Sequence, residues 1–322
     1  MRVQVPCPVP FLIIYYVRSS KYNSGTNGTY GATLNATSGT YFGPAYGTDV
    51  EQYDNLHHFF RTGFAQTHNL SAEYGKKNAT FRASGSYFNQ ESPVPNNTFK
   101  RYTARLTNTT KIGKYIDINP SVSYTKSIND KPLRGASSYL LNLLVWPADD
   151  DIRNWADENG NKTPLFNTNP NAELDNPLFN VNKNRSGDET DRFIGTLGIN
   201  INPLPWLSMS GRFGYDTYKS EGFTFYHPAS YYVNLADTGA LDNYYRKFHS
   251  YNHTITATAK KKIGKFTGRL MVGNMWQENE TSVYAVYGRK LKDLNRTDSD
   301  NTNPATRLRL LNATRNNLFF IF

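Results

Sequence analysis

The sequence contains very little cysteine and no long apolar run. Its single cysteine, Cys7, cannot form a disulfide within the 322-residue chain. The six histidines show no CxxC or HExxH spacing, so we expect neither a metal site nor another cofactor. The best apolar run, Phe11 to Val17, is far shorter than the roughly 20 residues that a membrane-spanning helix needs.

The chain is polar and basic, with a mean hydropathy of −0.63 and a formal net charge of +10. Its lysines and arginines are scattered through polar segments and form no stripe with aromatic partners, so we do not expect it to bind nucleic acid. A low mean hydropathy is compatible with a membrane β-barrel, because a barrel strand needs only every second residue to be apolar.

Alternation of apolar and polar residues is the main pattern in the chain. In the segment PWLSMSGRFGYDTY, from Pro205 to Tyr218, every second residue from Leu207 to Tyr215 is apolar or small. The same period recurs in residues 79–87, 116–124, 193–201 and 255–259. A helix would spread such a set around its circumference, whereas a strand places it on one face. The sequence therefore predicts an all-β fold.

The predicted strands are long. They cover residues 66–74, 79–88, 98–109, 114–127, 190–202, 206–218, 247–260 and 265–277, and a ninth begins near Asn316. Strands of soluble proteins average about five or six residues, whereas a tilted strand needs roughly ten residues to cross a membrane. Strand length therefore favours an antiparallel transmembrane β-barrel.

The connections alternate between short and long. The short ones are GKKN, TKIG, PLPW and KIGK, and the long ones are residues 89–97, 128–189, 219–246 and 278–315. An up-and-down meander with short periplasmic turns and long extracellular loops is typical of bacterial outer-membrane barrels. Aromatic residues lie at both strand ends, for example Trp206 beside a short turn and Tyr218 at the opposite end, as two interfacial girdles require.

Two other classes of protein share parts of this pattern. A soluble or surface β-sandwich that binds glycans or acts as an adhesin is the main alternative, because one face of its sheets is also buried. An enzymatic barrel would need a serine and a histidine close together. Neither His249 nor His253 has a nucleophile partner that spacing identifies, so we expect a protein that is not an enzyme.

The long loops supply the candidate ligand contacts. Aromatic rings there can stack on sugar rings while neighbouring amides or carboxylates bond hydroxyl groups. The candidates are Trp146, Trp155, Tyr226, Tyr231 and Tyr232. The alternative is that these loops pack on themselves or on a covering partner. The acidic stretches at Asp149 to Asp151 and Asp157 to Asn161 are interpreted as solvated loops, since the second has its glycine in the wrong place for an EF-hand.

Four segments resemble the SusC/RagA family of TonB-dependent outer-membrane transporters of Bacteroidota. They are YGTDVEQYDNLHHFFRTGFAQTHNLSAEYGKKNATFRASGSYFNQES, FKRYTARLTNTTKIGKYIDINPSVSYTKS, VWPADDDIRNWADENG and NPLPWLSMSGRFGYD. The similarity runs in order from about Tyr46 to Trp276, and the block from Phe59 to Gln90 is its most specific part.

The resemblance implies a barrel of about 22 strands with a globular plug in its lumen. It also implies energy from the TonB complex, a SusD-like lipoprotein over the external mouth, and import of oligosaccharides or peptides. The location would be the cell outer membrane, with lipid around the barrel. No plug, TonB box or C-terminal strands of that family are recognisable in the sequence.

We therefore expect residues 21–322 to be a partial barrel domain and leave residues 1–20 unassigned, because that N-terminal edge does not match the family. About nine strands cannot close a barrel of that size. With Met209 facing lipid, Met209→Arg is expected to prevent membrane assembly, since a cation at bilayer depth costs about 2 to 4 kcal/mol. Ser210→Arg, on the opposite face, is expected to be tolerated.

Overall fold

The computed structural model describes residues 33–34, 41–42, 53–135, 138–147, 150–163, 174–231 and 238–322. The elements of the first part are β1 (Thr33–Leu34), β2 (Tyr41–Phe42), α1 (Asn55–Phe59), β3 (Phe64–Lys76), β4 (Ala79–Glu91), β5 (Thr98–Ile112) and β6 (Ile116–Lys131). They are followed by α2 (Tyr139–Val145), α3 (Pro177–Lys183), β7 (Arg185–Leu204), β8 (Leu207–Tyr226), β9 (Ala240–Ile263), β10 (Phe266–Arg289) and β11 (Leu308–Ile321).

Strands β3 to β11 form one nine-stranded antiparallel sheet in which each strand pairs with its sequence neighbours. The short β1 and β2 pair only with each other. All nine predicted strands are present, although the ninth, β11, begins at Leu308 rather than near Asn316. The all-β, barrel-like class is confirmed. A β-sandwich would divide the long strands between two stacked sheets, and the described residues place all nine in one.

The connections between strands have the predicted asymmetry. Strands β3 and β4, β5 and β6, β7 and β8, and β9 and β10 are joined by tight turns. Two of these turns contain glycine in the left-handed region, Gly113 with φ 62° and Gly264 with φ 60°. That backbone conformation is strained for residues with a Cβ atom, so glycine sets where these hairpins turn.

The strands extend further toward the long loops than the sequence predicts. Strand β9 begins at Ala240 rather than residue 247, and β10 continues to Arg289 rather than residue 277. In these extensions the two faces do not differ in polarity, since residues 283–287 are apolar on both sides and residues 278–282 are polar on both. The apolar–polar alternation therefore stops although the backbone hydrogen bonds between strands continue. Periodicity detects only the part of a strand with one apolar face.

The pairing register gives the sheet one apolar face. Directly paired residues of antiparallel neighbours point to the same side. The pairs Ile116–Ile201, Ile201–Met209, Met209–Ala257 and Ala257–Val272 form one row across five strands. The neighbouring row, Asp117, Asn200, Ser210 and Thr256, lies on the other side. We call these sides the apolar face and the polar face.

Phe225, Leu241 and Val286 are buried near the loop ends of strands β8, β9 and β10. The main cluster of buried apolar residues lies away from the sheet. It consists of Phe59, Leu143, Trp146, Ile152 and Val181, from α1, α2, α3 and the loop before α3. The apolar face contributes none of these residues, and its Leu197, Phe213 and Ile255 are exposed. A contiguous exposed apolar surface of this kind marks contact with a membrane or another protein.

In the described part of the chain, no helix has the length and apolar character to span a membrane.

Candidate functional site

The apolar face is bounded by two rows of aromatic residues. The turn-side row, next to the short turns, consists of Tyr74, Phe81, Tyr115, Trp206 and Phe266. All five side chains are exposed, and Phe266 is 82% exposed. The loop-side row consists of His68, Tyr87, Tyr102, Tyr124, Phe193, Tyr215 and Tyr251. We call the apolar residues between the two rows the apolar band.

Rings of the loop-side row contact one another across strands. The centroids of Tyr87 and Tyr102 are 5.0 Å apart, and those of Tyr215 and Tyr251 are 4.7 Å apart. Offset aromatic pairs at such distances contribute beyond the area they bury. Trp206 and Tyr215 delimit about ten residues of strand β8, which is the length a tilted strand needs to cross a bilayer. The band therefore has the dimensions of a hydrocarbon layer.

Charged residues begin immediately beyond the loop-side row on the same face. Lys126 and Asp191 are direct cross-strand partners, two residues beyond Tyr124 and Phe193. The Tyr124 hydroxyl donates a hydrogen bond to Asp191, and the Lys126 ammonium pairs with Glu189. An exposed apolar surface that ends at an aromatic row and then becomes charged matches the boundary between acyl chains and headgroups.

The polar face carries a layer of cross-strand polar contacts. Nε of Arg192 donates to Oδ1 of Asp216 at 2.9 Å, and the two side chains also form an ion pair. The hydroxyl oxygens of Thr103 and Thr125 are 3.4 Å apart, and Nε of Arg105 donates to Oγ of Ser121 at 3.3 Å. Such a wall is suited to water or to polar solutes.

The loop side of the sheet carries a folded cluster organised by buried amide side chains. Nδ2 of Asn55 donates to the carbonyl oxygens of Pro147, at 3.0 Å, and Asp150, at 2.8 Å. Its Oδ1 accepts from the backbone N–H of Ile152 at 3.2 Å. Because these groups are buried or partly buried, their hydrogen bonds must be made within the protein. Asn55 thus fixes the path of the loop beside α1.

Helix α3 is also held in place by a buried asparagine side chain, Asn176. Oδ1 of Asn176 accepts from the backbone N–H of Leu178 at 2.8 Å, which satisfies a free donor at the helix start. Nδ2 of Asn176 donates to the carbonyl of Ile152 at 2.9 Å. Pro177 occupies the first turn, where its missing N–H costs nothing. The loop and the helix therefore hold each other in place.

A buried ion pair lies next to α3. Nζ of Lys162 lies 2.6 Å from Oδ1 of Asp175, and the two side chains are 7% and 2% exposed. The same Nζ lies 3.4 Å from the ring centroid of Tyr231 and 5.3 Å from that of Phe179. Asp175 also accepts from the backbone N–H of Tyr231 at 3.0 Å. We call Trp155, Lys162, Asp175, Phe179, His227 and Tyr231 the cation–aromatic cluster.

His227 belongs to this cluster as a neutral imidazole. Burial, and then the nearby Lys183 ammonium, lower its pKa from 6.5 to about 4. Its Nδ1 accepts a hydrogen bond from the backbone N–H of Ala229 at 3.1 Å, and its ring meets Phe179 edge to face with centroids 5.6 Å apart. An accepting Nδ1 requires the unprotonated form at that atom.

The structure brings two of the five candidate ligand residues into one cluster. Trp155 is half-buried, with its ring centroid 6.4 Å from that of Phe179 and 5.8 Å from Nζ of Lys183. Tyr231 is exposed and lies over Lys162. Both therefore adjoin the same buried group, Phe179 with Lys162.

Two other candidates, Trp146 and Tyr226, are not part of this cluster. Trp146 is buried in the loop core, and its Nε1 donates to Oδ2 of Asp150 at 3.0 Å. Tyr226 is half-buried at the end of strand β8. Tyr232 lies outside the described residues. Trp146 therefore fits the alternative interpretation, in which the loop packs on itself.

Carboxylates of the acidic stretches accept hydrogen bonds from neighbouring groups of the protein. Asp151 accepts from Nε of Arg153 at 2.9 and 2.8 Å, and this contact lowers the pKa of its carboxyl. Asp157 accepts from the side chain and backbone of Asn161, which lower its pKa in the same way. Asp149 lies outside the described residues.

Sequence reasoning missed Asn55, Lys162 and Asp175. Asn55 and Asp150 are 95 residues apart in sequence, and no local pattern connects them. The one available signal was the Asn-Pro pair at Asn176 and Pro177, which is typical of a helix start.

No protein-family model and no curated protein matches the chain. Solved structures do: a chain of the RagAB peptide importer in the closed-closed state has a TM-score of 0.67 at 18% identity, over 84% of this chain and 30% of that chain. The RagAB peptide transporter gives 0.66 at 18%, over 83% and 30%. The open-open importer gives 0.66 at 18%, over 86% and 32%. This chain thus spans about a third of the length of the chains it matches, and at this identity the similarity shows a shared fold.

Proposed function

We propose that this chain forms part of the wall of a TonB-dependent outer-membrane importer of the SusC/RagA type. The observation that carries the proposal is the pairing register, which puts every predicted apolar set on one exposed face between two aromatic rows. Lipid covers that face, and the polar face lines the lumen. The similarity of fold to chains of the RagAB peptide importer supports the same role.

The proposed cargo is a peptide or an oligosaccharide, taken up with energy from the TonB complex and delivered by a SusD-like lipoprotein above the long loops. The sequence resemblance supports the lipoprotein and TonB. The matched structures are those of a peptide importer, which favours peptides as the cargo. No covalent step on the cargo is involved, and the chain acts by positioning and enclosing it.

Aromatic residues of the long loops contact either the cargo or the covering lipoprotein. Trp155 and Tyr231 are the preferred contacts, because they are accessible and held in place by Phe179 and Lys162. Tyr226 and Tyr232 are secondary candidates. Trp146 serves the loop core, since its ring is buried there.

The orientation is tested with epitope tags in the full-length protein of the native bacterium. A tag after Gly160, in an exposed turn of the long loop, should be labelled by antibody on intact cells. A matched tag after Gly264, in a short turn, should be labelled only after the outer membrane is permeabilised. Labelling of both tags, or of the Gly264 tag alone, on intact cells would contradict the proposed topology.

Transport is tested by deleting the gene and measuring uptake of fluorescent peptides and fluorescent oligosaccharides. If the deletion abolishes uptake of one class and the wild-type gene restores it, that class is the cargo. Trp155→Ala and Tyr231→Ala should reduce that uptake while surface labelling of the Gly160 tag stays unchanged. Unaltered uptake of both classes in the deletion strain would overturn the import role.

A further inference from the structure

Positive charge is concentrated at the short-turn end of the sheet. The segments 75–78, 111–115 and 260–265 contain no acidic residue and no arginine. They carry eight lysines: Lys76, Lys77, Lys111, Lys114, Lys260, Lys261, Lys262 and Lys265. All eight are exposed. Eight lysines account for most of a formal net charge of +10, and we call this group the lysine rim.

The protein leaves most of the lysine rim without a neighbouring carboxylate. Lys111 has Asp117 as its cross-strand partner, whereas the partners of Lys76, Lys260, Lys261 and Lys262 are not acidic. Among the described residues, none of the eight forms an ion pair, whereas several cations at the loop end do. Lys131 pairs with Asp188, and Nη1 of Arg289 lies 2.9 Å from Oδ1 of Asp242. Most of the positive charge of the rim is therefore available to a counter-charge from outside it.

The rim lies directly beyond the turn-side aromatic row. Nζ of Lys114 lies 5.1 Å from the ring centroid of Tyr115, and Lys265 immediately precedes the 82% exposed Phe266. Lysine side chains can keep their methylene stems along apolar surface while the ammonium reaches a polar layer. An apolar band, an aromatic row and then cations follow in the order of acyl chains, interface and headgroups.

The choice of lysine indicates the kind of partner. Arginine provides a rigid fork for bidentate recognition of one carboxylate or phosphate, whereas lysine is a mobile point charge. Three lysine-bearing turns spread along one edge, without arginine, suit a layer of many separate phosphates better than a single shaped protein surface.

We propose that the lysine rim binds the headgroups of anionic phospholipids in the membrane leaflet beside the short turns. This inference rests on the proposed function, because it requires the apolar band to face lipid. The rim anchors the barrel at a fixed depth and collects anionic lipid around its short-turn end.

The test uses the full-length protein purified from outer membranes and exchanged into bilayer nanodiscs of phosphatidylcholine with phosphatidylglycerol. Native mass spectrometry then counts the lipids that remain bound after release. Wild type should retain phosphatidylglycerol in preference to phosphatidylcholine. The variant K76Q/K114Q/K261Q/K265Q removes two lysines that share the apolar face and two that lie in the turns beside Tyr115 and Phe266. It should lower that preference by about tenfold or more, since each lysine near a lipid surface adds to the attraction.

The matched control removes four exposed lysines from the loop half of the sheet, as K100Q/K219Q/K247Q/K290Q. It changes the net charge equally and should leave the preference unchanged. Equal effects of the two variants, or no preference in wild type, would overturn the inference. So would a rim variant that loses lipopolysaccharide or an acidic periplasmic protein while it retains phosphatidylglycerol.

Heat-modifiable gel migration separates this inference from the proposed function. Wild type that shows no folded, heat-sensitive band in bilayers contradicts the membrane barrel itself. Folded wild type without lipid preference contradicts only the lysine rim. If the rim variant does not fold, wild type is measured at rising salt, where a preference that does not weaken contradicts the inference.

Discussion

Nζ of Lys162 lies 2.6 Å from Oδ1 of Asp175 inside the loop cluster, with both side chains almost fully buried. The aromatic rings of Tyr231 and Phe179 surround the ammonium, and the Asp175 carboxylate also accepts from Ser230 and from the backbone of Tyr231. The ion pair lies within the loop before α3, and the hydrogen bonds that Asp175 accepts from Ser230 and Tyr231 join this loop to the segment after strand β8.

We expect Asp175→Asn to destabilise this cluster by about 3 to 5 kcal/mol, the usual cost of leaving a buried charge without its partner. Because the asparagine amide can still accept hydrogen bonds, the loss of stability reports the removal of the charge. Hydrogen exchange of residues 174–184 measures this loss of stability. Adding Lys162→Met should recover part of the protection. Arg296→Gln, which breaks an exposed pair with Asp298, is the control and should change nothing there. Full protection in Asp175→Asn would contradict the prediction.

Substitution at the centre of the apolar band tests the membrane face. Leu197 lies midway between Phe193 and Ile201, deeper than Met209, so Leu197→Arg should block assembly at a cost of about 2 to 4 kcal/mol. Thr196→Arg, one residue away on the exposed polar face, should assemble normally. The measurement is the fraction of full-length protein with heat-modifiable migration in the outer membrane. Similar loss from both substitutions would mean that the two faces are not distinguished by lipid.

The contact between Tyr215 and Tyr251 predicts coupling across strands β8 and β9. A double-mutant cycle with Tyr215→Leu and Tyr251→Leu should give about 0.5 to 1.5 kcal/mol of interaction energy. Urea-induced unfolding of the full-length protein in lipid vesicles provides the values. Tyr251 with Tyr284, which lies further along the sheet on β10, makes the control cycle and should give additive effects. Additivity in both cycles would show that the aromatic contact contributes nothing of its own.

The loop around His227 should become less protected as the medium is acidified. The imidazole takes up a proton near pH 6.5 when unfolded and near pH 4 when folded, so the unfolded state binds more protons between these values. Stability is therefore complete above about pH 6.5, falls toward pH 4 and is level below it. Hydrogen exchange of residues 227–231 should show this fall, and His227→Gln should abolish it. Residues 290–306, which contain no histidine, serve as the internal reference. A protection factor at 227–231 that does not change with pH, after division by the intrinsic exchange rate at each pH, would refute the prediction.

Much of the sheet was predictable because its information is local. The alternation from Leu207 to Tyr215 identifies a strand and its two faces without knowledge of the partner strands, and glycine at residues 113 and 264 identifies the turns. The strand ends near Ala240 and Arg289 were not predictable, because pairing there continues through backbone hydrogen bonds after the side-chain alternation has ended.

The loop cluster was not predictable in the same way. Trp146 and Trp155 are similar residues in neighbouring positions of one polar loop, yet the first is buried in the core and the second only half-buried. What separates them is packing in the core cluster, which Trp146 joins together with Phe59 of the distant helix α1, whereas Trp155 contacts Phe179 from outside that cluster. Asn55 and Asp175 have no sequence signature either, because their hydrogen bonds join segments that only the folded chain brings together.

The sequence by itself determined which residues share a face, where the tight turns fall and that the chain carries excess positive charge, since each depends on residue identity and spacing alone. For the described residues, the tertiary structure decided that no second sheet covers the apolar face, that the main buried cluster lies among the loops, and that the unpaired lysines meet at one edge. These properties depend on which distant segments pair, and pairing is a property of the whole fold.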